Sequence, residues 1–127
     1  MSPEVSEGDT LTYARTFTKS EVREFADLSK DTGYHHLVAG DGERLMVHGL
    51  LTATLPTKIG GDLNYIARRM EFEFTKPVYT GEEITCEVTA EHVEETDGRT
   101  ELEASCVCTN EDDEVVLTAE TAGVIFG

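Results

Sequence analysis

Asp31 and His36 stand five residues apart in the segment 30–44, KDTGYHHLVAGDGER, which follows neither a helical nor a strand period. A carboxylate and an imidazole that reach one water molecule can orient it and exchange protons with it. Near neutral pH the imidazole suits that work, because its ordinary pKa of about 6.5 lies there. By spacing alone the pair is more often two unrelated loop side chains. His48 and Gly49 open the apolar run that follows. The amides of a first helical turn have no intrahelical partner and carry the positive end of the helix dipole. Glycine lets a ligand approach that backbone, so a carbonyl gaining negative charge could be stabilised by the Gly49 N–H. The plainer alternative is that Gly49 permits close packing of helix on sheet.

Two further clusters could do other chemistry. Asp31, His35, His36 and His48 are oxygen and nitrogen ligands in one neighbourhood. Adjacent histidines in an extended loop point apart, and no His-x3-His pair lies on a helix, so no metal is expected. The three cysteines, Cys86, Cys106 and Cys108, are an odd number in strand-like surroundings. That argues against a disulfide framework. Cys106-x-Cys108 could suggest a metal, but the spacing also suits two small core residues on one strand face, and buried, inert thiols are expected.

These residues need elements to position them. Residues 10–17 (TLTYARTF) read as a strand after a flexible tail over residues 1–9. Thr18 and Glu21 form a capping box that starts a short amphipathic helix, with Val22, Phe25, Ala26 and Ser29 at helical spacing. Residues 30–44 carry three glycines, a tyrosine and two histidines and read as a functional loop. Residues 45–59 read as a buried central helix stopped by Gly60 and Gly61 and kinked or cut short at Pro56. After it, Met70, Phe72 and Phe74 alternate with polar residues, as do Ile84, Cys86, Val88 and Ala90, then Leu102, Ala104, Cys106 and Cys108. Residues 115–126 make a last strand. Turn signals lie at Thr80-Gly81, Thr96-Asp97-Gly98 and Asp112-Asp113.

The order is strand, short helix, loop, central helix and four strands. An antiparallel sheet of about five strands wrapped round one helix satisfies it with a single core, an α+β hot-dog arrangement. The length of 127 residues suits one domain, 1–127. No apolar stretch is long enough to span a membrane and the start lacks a secretion signal, so a cytoplasmic protein is expected. Twenty-six acidic against ten basic residues give a net charge of −16. Such a charge argues against nucleic acid and anionic lipid as partners. It fits a salt-rich, halophilic interior, where screening relieves the self-repulsion.

The run FTKSEVREFADLSKDTGYHH, then MVHGLL, then MEFEFTKPVYTGEEI resembles the MaoC-like dehydratase family, which includes (R)-specific enoyl-CoA hydratases. That pattern sets an Asp five residues before a His, a His-Gly at the central helix, and Phe-x-x-Pro-Val-x-x-Gly followed by an acid. Here it falls on Asp31, His36, His48, Gly49, Phe74, Pro77, Val78, Gly81 and Glu82, within roughly residues 16–88. The sequence departs from it at Gly33 and Tyr34, where Asn-Pro is usual, and at Val38, where an acid is usual. The stretch from His36 to His48 is also short.

The resemblance implies reversible hydration of trans-2-enoyl thioesters to (R)-3-hydroxyacyl thioesters in fatty-acid or polyhydroxyalkanoate metabolism. Asp31 and His36 would hold the water, the Gly49 N–H would take the carbonyl oxygen, and His48 and Thr57 would support. Tyr34, Arg68 and Arg69 are candidates for contact with an acyl-CoA or acyl-carrier-protein substrate, and Lys58 and Lys76 for offsetting coenzyme A phosphates. No cofactor is needed. A sheet edge left uncovered implies a homodimer or higher homo-oligomer. The alternatives on the same fold are an acyl-CoA thioesterase and a non-catalytic acyl-CoA-binding module.

Overall fold

Thr18 caps the first helix as its sequence demands, and that junction sets the geometry of the first half. In a computed structural model that describes residues 5–39 and 43–126, strand β1 (Thr10–Thr16) leads through Thr18 into helix α1 (Lys19–Ser29). The Thr18 hydroxyl accepts the Glu21 amide at 3.1 Å, and the Glu21 carboxylate accepts the Thr18 amide at 2.9 Å. Val22 and Ala26 are the buried stripe of α1. Lys30 ends it in the left-handed region, φ 65°.

The segment after α1 is less irregular than its sequence suggests. Residues 34–37 coil into a single turn, α2 (Tyr34–Leu37), which buries His36. Residues 40–42, with two of the three loop glycines, lie outside the described residues.

The central helix is also different from the expected 45–59. Residues 45–47 are extended and pair with residues 78–80. Val47 N–H donates to the Val78 carbonyl at 2.7 Å, Thr80 N–H to the Leu45 carbonyl at 2.9 Å, and Met46 faces Tyr79. Leu45 and Val47 are buried by that alternation, which a helical reading of the same apolar residues misses. Helix begins only at Gly49, as α3 (Gly49–Thr52), and resumes after Ala53 as α4 (Thr54–Asp62). The break places Pro56 in the first turn of α4, where its missing N–H costs nothing. Gly60 and Gly61 are inside α4 and do not end it; Leu63 closes the helix and Asn64 turns the chain at φ 57°.

The remaining chain forms β2 (Tyr65–Phe74), β3 (Glu83–Thr96), β4 (Arg99–Thr109) and β5 (Val115–Phe126). With β1 they make one five-stranded antiparallel sheet in the order β1-β3-β4-β5-β2. Asp97 and Gly98, both with positive φ (45° and 76°), turn β3 into β4. The main core lies between sheet and helices, formed by Phe17, Val22, Leu51, Leu55 and Ile59 against Ile84, Cys86, Cys108 and Leu117, and a smaller one gathers Leu63, Ala90, Leu102 and Ile125. This is the hot-dog, α+β fold.

Two expectations are corrected at the margins. Residues 5–9 are not a loose tail: Gly8 N–H donates to the Ala90 carbonyl and Ala90 N–H to the Asp9 carbonyl. Met70 and Phe74 share the inward face with Phe72 but remain 43% and 52% exposed, because β2 is an edge strand with no strand beyond it to cover them.

Candidate active site

Asp31 follows the end of α1, and His36 sits on the single turn of α2. The Asp31 Oδ1 accepts the Gly33 N–H at 3.3 Å, a local turn that bends the chain back toward α2. The His36 Nδ1 donates to the Met46 carbonyl at 2.7 Å. That bond fixes the neutral ring as the Nδ1–H tautomer and leaves Nε2 bare. Nε2 stands 3.8 Å from Asp31 Oδ2, too long for a direct hydrogen bond and close enough for one water to touch both. His36 is buried, while the Asp31 carboxylate is more than half exposed.

His48, the residue before α3, is buried beneath the pair. Its ring stacks on that of His36 with centroids 3.7 Å apart and planes 16° from parallel. Its Nε2 donates to the Asp31 backbone carbonyl at 3.0 Å. Gly49 is the first residue of α3, so its N–H has no partner within the helix.

A cleft of about 390 Å³ opens beside His36. Gly49, Thr52, Val47, Val78, Val116 and Phe74 line it, with His35 and Lys76 also contributing. The walls are largely apolar, with polar groups at His35, His36 and Thr52 and, after β2, at Thr75 and Lys76; Asp31 stands beside His36 without lining the cleft.

The structure thus brings together Asp31, His36, His48 and Gly49. It places the other sequence candidates elsewhere. Tyr34 is 76% exposed and does not line the cleft. Arg68 pairs with Glu101 and Arg69 with Glu71 on β2, also outside it. The Thr57 hydroxyl donates to the Ala53 carbonyl at 2.6 Å, within its own helix. Two contributors escaped sequence reasoning. The Met46 carbonyl leaves no trace in residue type, because its role depends on tertiary pairing. Thr52, buried, is one helical turn past His48 and donates to its carbonyl at 3.2 Å.

Asp31, His36 and His48 present ligand atoms within 4.8 Å of one another. The stacked His36 and His48 rings, however, hold their in-plane lone pairs in two nearly parallel planes with ring centroids 3.7 Å apart, an arrangement poorly suited to meeting on one ion. Away from the cleft, Cys86, Cys106 and Cys108 are free and buried, with Sγ–Sγ distances of 3.2 Å (Cys86–Cys106) and 3.8 Å (Cys106–Cys108). Its hydrogen bond with Cys106, together with burial, pushes the Cys86 thiol up to about 12.

Residues 1–119 match the family described as FAS1-like, dehydratase domain region. The chain belongs to that family. Among solved structures, this FAS1-like dehydratase-region protein is similar to an (R)-hydratase from A. caviae involved in PHA biosynthesis, at 26% identity and TM-score 0.83, over 97% of this chain and 98% of that one. A MaoC-like dehydratase from Rhodospirillum rubrum shares the fold at 18% identity and TM-score 0.78, over 96% and 93% of the two chains. So does the HadBC 3R-hydroxyacyl-ACP dehydratase complex of Mycobacterium tuberculosis, at 18% identity and TM-score 0.69, over 94% and 96%. No curated protein matches the sequence. At family level the protein is a MaoC-like hydratase or dehydratase of the hot-dog fold.

Proposed function

We propose that the protein adds water reversibly to trans-2-enoyl thioesters, giving (R)-3-hydroxyacyl thioesters in fatty-acid or polyhydroxyalkanoate metabolism. The observation that carries this is the division of roles on His36: Nδ1 is committed to Met46, so Nε2 is free as a base 3.8 Å from the Asp31 carboxylate.

A water held by these two acceptors is oriented and partly deprotonated before any bond forms. In the addition its O–H bond breaks, its oxygen bonds to C3, and a proton is delivered to C2 as the C2=C3 π bond is lost. The negative charge that builds on the thioester oxygen during C3–O bond formation would be met by the Gly49 N–H. Val47, Val78, Val116 and Phe74 offer an apolar wall for the acyl chain. No redox group or metal is required, since every step is a proton transfer or an addition to a polarised alkene.

The thioester would be carried by coenzyme A or an acyl-carrier protein, with Lys76 at the cleft, where it also pairs with Glu114. The chain would act as one cytoplasmic domain, 1–127, and as at least a homodimer. Support for the dimer is the edge strand β2, whose Ile66, Met70 and Phe74 are exposed. Among the described residues no helix is long and apolar enough to cross a membrane.

The test is an assay with crotonyl-CoA that follows loss of the enoyl absorbance, free thiol and product chirality together. Hydration to the (R)-alcohol without thiol release is expected. Thiol release without hydration would make the protein a thioesterase, and binding without either change would make it a non-catalytic module.

A further inference from the structure

His48 occupies a position that stability alone would fill differently. It is 1% exposed, deep between α1 and the cleft, with the Phe25 ring meeting it edge-on at 4.9 Å. Its Nδ1 is buried with no hydrogen-bond partner among the described residues. A buried acceptor left unpaired is a free-energy cost, and a leucine or phenylalanine would avoid it. Such an orphan next to reacting groups calls for an explanation in terms of what the other ring nitrogen and the ring face do.

Both have definite partners. The Nε2–H holds the Asp31 backbone carbonyl, 17 positions earlier in the chain, at 3.0 Å. The ring face carries His36 at 3.7 Å. His36 also meets the more exposed His35 ring, tilted by 56° with centroids 3.9 Å apart. Among the described residues the Asp31 side chain accepts the Gly33 amide and faces the His36 ring, and its residue stands on an exposed turn. His48, which precedes Gly49 directly, is thus a buried tie between that turn and the helix carrying Gly49, beside the bonds of His35 and His36 to Met46.

We propose that His48 is a positioning residue: its Nε2–H pins the Asp31 main chain while its ring face sets the plane of His36, fixing the Asp31–His36 separation relative to the Gly49 amide. The proposal rests on the hydratase reading for its kinetic consequences, but the geometry it describes does not. The orphaned Nδ1 follows from it, since a ring oriented for the Asp31 carbonyl and the His36 face has no freedom left to seek a partner for its second nitrogen.

Two substitutions separate the claim from mere core filling. His48→Leu fills the space without the donor or the flat face. His48→Gln returns an amide N–H near the former Nε2. In the leucine variant kcat should fall about 10²-fold with KM little changed, because a misplacement of about 1 Å costs that much. The glutamine variant should recover most of kcat at equal or lower thermal stability. Alongside, amide hydrogen exchange at residues 31–36 should quicken in His48→Leu and return toward wild type in His48→Gln. Wild-type kcat and unchanged exchange in His48→Leu would overturn the proposal. So would equal losses in both variants that track their melting temperatures. If the unmodified protein hydrates no enoyl thioester, the hydratase reading fails, and the exchange measurement still decides the role of His48. Should His48→Leu not fold, exchange in His48→Gln decides: protection of residues 31–36 near wild type supports the role, and its loss overturns it.

Discussion

Gly49 lies directly against Phe74: a Cβ on Gly49 would stand 2.9 Å from Cε1 of that ring. Both reasons for a glycine therefore meet at this position, close packing and access to the amide. They can be separated. Gly49→Ala should push the half-exposed Phe74 ring aside at a cost of about 1 kcal/mol or less, since the displaced atoms are the end of a flexible side chain. Hydratase kcat/KM should fall by about 10²-fold as the oxyanion approach closes. Adding Phe74→Leu relieves the clash. If activity then returns to wild type, Gly49 served packing alone; a persistent loss assigns it to the carbonyl.

The proton-handling pair gives a sharper expectation. Asp31→Asn keeps the local turn, because the amide oxygen can still accept the Gly33 N–H, but it removes the charge facing His36. His36→Ala removes the base. Each should lower kcat by about 10² to 10⁴-fold. The double variant should lose little more than the worse single one, because the two groups act on one water. Steady-state rates on crotonyl-CoA check this, and full multiplicative loss would mean that the residues act in separate steps.

How much of this site the sequence reveals depends on whether a residue works through its side chain or through the chain path. Asp31 and His36 stand out only through the family pattern, an Asp five residues before a His followed by His-Gly, because the two side chains alone are ordinary in a loop. The capping box at Thr18 and Glu21 is legible because it is local. The Met46 carbonyl is not, since residues 45–47 pair with residues 78–80 and the apolar run disguises an extended segment as helix. Nor is the exposure of Met70 and Phe74 legible: their alternation gives the correct face, but only the strand order puts β2 at an edge. Thr57 shows the converse case, in which a spacing taken from family resemblance meets a hydroxyl that donates to the Ala53 carbonyl one turn back.

The cap itself should be measurable. Thr18→Ala removes the acceptor for the Glu21 amide and should cost about 1 kcal/mol in denaturant unfolding. Glu21 is held below its ordinary value of 4.5 chiefly by the Thr18 amide, with the Arg15 guanidinium assisting. A carboxylate depressed in the folded state stabilises fully above its unfolded pKa and loses that contribution as pH falls through the folded one. Glu21→Gln should therefore lower stability at neutral pH and narrow its gap from wild type on acidification below about 4.3. A gap that stays constant with pH would remove the ionised carboxylate from the account.

Glu71 on β2 faces Glu120 on β5 across the sheet, and both line a shallow groove with Glu73 on the face away from the helix. Like charges directly opposite on neighbouring strands destabilise by up to about 1 kcal/mol. Arg69 pairs with Glu71 at 2.9 Å and offsets part of that repulsion, but with a net charge of −16 and Lys76 engaged with Glu114 the chain has few cations left for Glu73 and Glu120. Dissolved salt can substitute, since at about 1 M the Debye length is roughly 3 Å, shorter than the spacing between the strands. Thermal unfolding should therefore shift upward as KCl is raised toward about 2 M, with most of the gain at the low end. Glu120→Gln should raise the midpoint in dilute buffer and leave it nearly unchanged in concentrated salt, because it removes a repulsion that salt already screens. A wild-type midpoint indifferent to KCl, or a variant that gains equally at all salt concentrations, would separate the acidic surface from any requirement for a salt-rich medium.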